Sequence, residues 1–297
     1  MENNLSIIEK PTSELADIMG VANDTSTPAR SALAELRQIH NNIMGTKTVE
    51  GEEIEVAVIK AGSFCAKLPD GQECYSPTVT IRPYLQRFCY ERWDQEAVKA
   101  DGGQGMVVRT VFAKTLNQDL KDNNGTYNCG RPSGYVKDWD ALPKDMQELM
   151  RSVKRAKVIF GTCKLDKATD ADGNPIDVDE FPFKIHIKSK ESYKNFDNLY
   201  KDIQRRNKLP IEFEVKMKGE LRDAMSGNKF GIIAPSLGKT LEISTDESET
   251  LQNFVDWVQT TNSRTSDVWD EKNTTRHTYD LTSEESNIVG DIVDIEE

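Results

Sequence analysis

"TIRPYLQRFCYERWD", residues 80–94, sets three arginines and four aromatic rings into fifteen positions, and the fold turns on whether it is helix or strand. As a helix beginning at Pro83 it would gather Leu85, Phe88, Cys89 and Trp93 on one side. As a strand it carries Val79, Ile81, Leu85 and Cys89 on one face and Arg82, Tyr84, Phe88, Tyr90 and Arg92 on the other. The β-branched run Thr78-Val79-Thr80-Ile81 before it and "DGGQG" (101–105) after it favour a strand in a hairpin, with Pro83 marking an edge or a bulge.

On that strand the second face alternates guanidinium groups with rings. Single-stranded nucleic acid is bound by this combination, because bases stack on rings while cations follow the phosphates. The plainer alternative is a sheet face covered by a helix, with arginines reaching solvent past buried rings. Two further basic segments bear on the choice. "RSVKRAK" (151–157) supplies Arg151, Lys154, Arg155 and Lys157, and residues 184–218 hold ten bases against five acids. Each of these alone reads equally as a solvated face.

Working outward, Thr12-Ser13 caps a short helical pattern that stops at Gly20, inside a polar arm of residues 1–26. Ser26-Thr27-Pro28 starts a second predicted helix with Leu33, Leu36, Ile39 and Ile43 on one face, ended by Gly45. Strands are expected at 53–60, 63–68 and 105–114, with a hairpin turn at Pro69-Asp70-Gly71 and a long excursion over 116–143. Pro143 opens a helix, 155–165 returns to strand, and "FPFKIHIK", a helix over 190–206, "IEFEVKMK" and strands at 229–234 and 240–244 follow. The capping box Ser244-x-x-Glu247 begins a last helix that buries Leu251, Phe254, Val255 and Val258. The expected fold is α+β, with a mainly antiparallel sheet or an OB-like β-barrel, flanking helices and a disordered acidic C-terminal tail. Its expected divisions are an arm at 1–26, a body at 27–266 and the tail at 267–297.

The chain has 297 residues and a net charge of −12, but the excess lies at its ends. Residues 1–26 carry −4, residues 267–297 carry −8, and the body between them has 35 charges of each sign. The low pI therefore does not argue against a phosphate-binding body. No apolar run near eighteen residues and no signal-like start is present, which implies a cytoplasmic protein without a membrane partner. Five scattered cysteines without a CxxC suit reduced thiols. A zinc site drawn from Cys65, Cys74 and Cys129 with Cys89 or a histidine lacks ligand pairs of finger-like spacing, so no metal is expected.

Two motifs are decoys. Gly238-Lys239-Thr240 ends like a phosphate-binding loop, yet Ile233 stands where that loop needs glycine. The acidic turn from Asp170 has Pro175 where a calcium loop needs glycine. His40, His186 and His277 are far apart in sequence and no nucleophile or acid/base set emerges, so neither catalysis nor a cofactor is expected.

A strand-rich neutral body with basic and aromatic patches, followed by "NIVGDIVDIEE" in an acidic tail, resembles the bacteriophage single-stranded DNA-binding proteins of OB-fold type. "RPYLQRFCYERW", "CGRPSGYVKD" and "RSVKRAKVIFG" are similar to stretches of phage proteins of that class. The resemblance implies sequence-independent binding of single-stranded DNA in replication or recombination, with phage replication proteins recruited through the tail in the host cytoplasm. Self-association into a homo-oligomer is compatible with it. This tail ends Ile-Glu-Glu, where the usual pattern ends on an aromatic. The alternative is a phage structural or scaffolding protein whose patches are protein interfaces, and a nuclease stands third.

Overall fold

The computed structural model describes residues 33–49, 52–98, 104–132, 136–223 and 229–279. The arm at 1–26 and the end of the tail, 280–297, lie outside the described residues. By its contacts the chain divides into Met1–Leu33 and Ala34–Glu297, and the fold is that of the second unit. Its strands are β1 Ala34–Gln38, β2 Ile43–Val49, β3 Glu52–Ile59, β4 Phe64–Lys67, β5 Glu73–Ser76, β6 Thr78–Val98 and β7 Gln104–Arg109. Helix α1 Lys144–Ser152, strands β8 Lys154–Asp166 and β9 Phe181–Ile187, helix α2 Lys190–Arg205, strands β10 Phe213–Asp223 and β11 Lys229–Thr240, and helix α3 Thr245–Tyr279 follow.

The protein is α+β with a mixed, largely antiparallel sheet. The strands run β11-β10-β6-β8-β9-β1-β4-β5, with β7 also on β6, and β2 with β3 form a separate two-stranded ribbon. Only the β1–β9 pair is parallel among these described pairings. The sheet is open: its backbone ladder does not close into a barrel. None of the described helices is long and apolar enough to cross a membrane.

The quoted stretch is indeed strand, the central β6, and Pro83 does mark a bulge. Arg82 pairs Thr162 and Pro83 pairs Gly161, but Leu85 pairs Phe160, leaving Tyr84 as the extra residue. Because side chains alternate, one inserted residue inverts the faces that follow. Val79, Ile81, Phe88 and Tyr90 consequently share a face, while Arg82 lies with Leu85, Arg87, Cys89 and Glu91 on the opposite one. The expectation of one face for all five residues fails at this bulge. Gly161 makes room for it, since a Cβ there would lie 2.1 Å from the Arg82 carbonyl oxygen.

A helix covers each face. On the first, Phe196, Leu199 and Ile203 of α2 pack on Val79, Ile81, Ile159, Phe183 and Val215, each such buried side chain contributing about 1.5–3 kcal/mol. Ser189 caps α2, and two bonds tie it to β11: the Ile233 N–H donates to Ser192 Oγ at 2.9 Å and Asn195 Nδ2 donates to the Ile233 carbonyl at 3.0 Å. On the second face Phe160 meets Phe254 and Trp257 of α3 at 6.4 and 5.7 Å between ring centres. Asn262 clasps the backbone of Phe112 with two bonds of 2.7 and 2.9 Å.

Three expectations are corrected. Residues 34–38, expected in a helix, are β1, which pairs β9 on one side and β4 on the other with Ala34 and Leu36 buried. "AELRQ" is rich in helix formers, and pairing in the sheet overrides that preference. The strand expected at 229–234 runs on to Thr240 as one edge strand, β11, which tolerates Pro235, while residues 241–244, expected as a further strand, are not strand. Helix α3 runs unbroken through Asp267, where the acidic tail was expected to begin, to Tyr279. It is anchored there by Trp269 Nε1 donating to the Thr126 carbonyl at 2.9 Å.

The sheet bends so that β10 and β11 come back against β1 and the turn after β3. No backbone ladder forms across this seam. Instead Gln38 Nε2 donates to the carbonyls of Glu220, Ile232 and Gly62 at 3.2, 3.3 and 3.4 Å. Gly219 and Gly231 permit the approach: Cβ atoms there would lie 1.9 Å from the Gly62 oxygen and 2.3 Å from Gln38 Oε1.

Candidate nucleic-acid interface

The middle of β6, the start of β8, the start of α2 and the loop after β7 enclose a groove of about 650 Å³. Its charged lining consists of Lys114, Arg131, Lys154, Arg155, Lys188 and Lys190, with no carboxylate among the lining residues. Phe88 and Tyr193 form part of its wall, their ring centres 6.1 Å apart. A second recess of about 420 Å³ shares Leu116, Asn117, Arg131 and Arg155 with it and reaches Tyr90 and Asp119. Among the described residues Lys114, Arg131, Arg155 and Lys190 make no ion pair. Lys154 Nζ donates to the Arg151 carbonyl at 2.7 Å, and Lys188 Nζ lies 2.6 Å from Glu91.

The loop that brings Arg131 here is built around a buried carboxylate. Asp122 accepts from the N–H groups of Asn124, Thr126 and Cys129 at 2.9 Å each and from the Thr126 hydroxyl at 2.6 Å. Those bonds hold Asn128 and Cys129 in left-handed backbone, with φ of +54° and +59°. The Arg131 guanidinium ends 5.8 Å above the Tyr90 ring, close enough for a cation–π contact.

The nine candidate residues do not stay together. Phe88, Lys154 and Arg155 line the groove, and Tyr90, 7% exposed, lines the recess. Arg151 is exposed, its guanidinium 5.3 Å over Trp139. Arg82 lies on the other face, paired with Glu247 at 2.6 Å and donating to the carbonyls of Ile211 and Glu242 at 2.8 and 2.7 Å. Tyr84 packs its ring 5.5 Å from Phe254. Arg92 pairs with Asp94 at 2.6 Å and donates to the Cys129 carbonyl at 2.9 Å. Arg82, Tyr84 and Arg92 thus join elements rather than line the groove.

Lys157 departs furthest from its expected place among the phosphate contacts. Its side chain is 0% exposed, held by Asp197, with the ammonium 4.3 Å from the Tyr193 ring centre and 5.7 Å from that of Tyr200. Burial pulls the Lys157 ammonium below its ordinary pKa, and Asp197 offsets part of that shift. Its position directly across from Phe88 on the α2-covered face explains this.

Lys114, Arg131, Lys188, Lys190 and Tyr193 complete the groove without having been singled out. Lys188 and Lys190 belong to the basic run noted in the sequence. Tyr193 reads as an inward helix position, and nothing in the local pattern marks Lys114 or Arg131. Searches against protein-family models, curated proteins and solved structures find no match to this chain.

Proposed function

We propose that this chain binds single-stranded DNA without sequence preference in the groove between β6, β8 and α2, in the manner of the phage proteins of OB-fold type that its sequence resembles. The observation that carries this reading is the lining itself: six cations, no carboxylate and two rings in one concavity. Phosphates need the cations, and a base needs the ring faces of Phe88 or Tyr193. Replication or recombination is the process such binding serves, and the acidic segment after α3 is the arm that recruits partners.

Titration with oligo-dT at several salt concentrations tests the proposal. Wild-type protein binds with affinity that falls as salt rises, and replacing Lys154 and Arg155 by Ala lowers the log-log slope by about 0.7 per lost contact. Phe88→Leu weakens binding by about 1–3 kcal/mol if a base stacks there. Absence of binding by the wild type, or an unchanged slope in the double variant, overturns the assignment. Oligonucleotide shortened in the presence of magnesium would move the protein to the nucleases.

A further inference from the structure

On the α3-covered face, Cys89 and Glu91 of β6 meet His186 of β9, their ligand atoms all within 4.8 Å of one another. The two strands are not neighbours, for β8 lies between them. The residue of β8 opposite Cys89 is Ala156, fully buried, whose single methyl leaves room for side chains to meet across it.

The three groups are poorly explained as a hydrogen-bonded cluster. The His186 side chain is 7% exposed, and neither Nδ1 nor Nε2 has a hydrogen-bond partner among the described residues. Burying both ring nitrogens unpartnered is costly, and a buried polar group normally finds a partner. Nδ1 stands 3.5 Å from Glu91 Oε2, without a hydrogen bond. That spacing also suits a shared metal: zinc–nitrogen and zinc–oxygen bonds of about 2.1 Å at a tetrahedral angle set N and O about 3.4 Å apart.

We propose that Cys89 Sγ, His186 Nδ1 and a Glu91 carboxylate oxygen bind one zinc ion. Thiolate, imidazole and carboxylate are zinc's three common protein ligands, and the thiolate disfavours magnesium or calcium. The Cys89 proton leaves to solvent as the ion enters. A water takes the fourth position.

The surrounding charges oppose the ion in part. Arg109 Nε pairs with Glu91 Oε2 at 3.0 Å, and Lys188 Nζ approaches Oε1 at 2.6 Å without hydrogen-bond geometry. They fix the carboxylate, as the outer partners of metal ligands do, while repelling a cation. Lys188 is half exposed and can swing away, so Lys188→Ala tightens zinc binding.

The full-length protein, stripped with chelator and refilled, decides the matter. One equivalent of zinc returns, raising the melting temperature with zinc concentration, and cobalt in its place gives the thiolate-to-metal absorption band of a cysteine ligand. Cys89→Ser and His186→Ala lose the band and the bound equivalent, whereas Cys163→Ser, on the opposite face, keeps both. The proposal is overturned if wild-type protein takes up less than one equivalent or shows no such band. It is equally overturned if the band survives Cys89→Ser or disappears in Cys163→Ser. The wild-type measurement stands even where a variant does not fold.

Discussion

Glu247 shows how one side chain can serve a helix end and a long-range contact together. It accepts from the Ser244 N–H at 2.8 Å, bonds the Ser244 hydroxyl, and pairs with Arg82. The Ser244 hydroxyl and N–H, and then the Arg82 guanidinium, hold its pKa down to about 2 from 4.5. A depressed carboxyl contributes stability that is fully present above 4.5 and is lost as pH falls toward about 2. The melting temperature of the wild type should therefore exceed that of Glu247→Gln above this window, and the gap should narrow on acidification through it. A gap independent of pH would assign the effect to packing. The capping box was legible because its residues are three apart in sequence. Arg82 was not, because its partner lies 165 residues away. Local pattern marks a guanidinium as available and cannot show the carboxylate that occupies it. Lys157 fails for the same reason, with Asp197 and two rings brought to it by α2.

Among the elements, β6 was readable as a strand and its faces were not. β-Branched residues and flanking glycines declare extended backbone, but a bulge depends on what the neighbouring strand permits. Here the permission comes from Gly161 on β8. Placing a methyl 2.1 Å from the Arg82 carbonyl oxygen must shift backbone, so Gly161→Ala should cost about 3 kcal/mol in urea denaturation. A change within about 0.5 kcal/mol, the usual range for an innocuous surface substitution, would show that the bulge needs no glycine. The candidate groove was half legible for a related reason. Phe88, Lys154 and Arg155 lie in the two strands that pair directly, whereas Lys114 and Arg131 arrive on a loop whose path is set by the buried Asp122. β1 was lost because its helix-forming composition yields to partners on both edges.

At the scale of the whole chain, the division of charge has a measurable outcome under the proposed function. Ending the chain after Tyr279 keeps α3 intact and removes seven acids and no base, moving the net charge from −12 to −5. Affinity for oligo-dT should rise, most at low salt where screening is weakest, while capture of replication proteins falls. Weaker DNA binding with undiminished capture would make the segment a solubilising one. The location of the acids was plain in the sequence; the helix that carries the first of them was not, because its anchors, Trp269 and Asn262, bond to backbone far away in the chain.

The seam at Gln38 gives the sheet a weak point of a particular kind. A ladder between strands opens only when consecutive peptide groups are peeled apart. This seam is held by one amide whose bonds, at 3.2 to 3.4 Å, are all long. A single rotamer jump releases it, leaving β10 and β11 joined to the sheet's backbone ladder only through β6, with α2 still holding β11 through Ser192 and Asn195. The edge pair β10–β11 is therefore expected to yield its peptide protons to deuterium before the layer between β6 and β9 does, which hydrogen exchange measures.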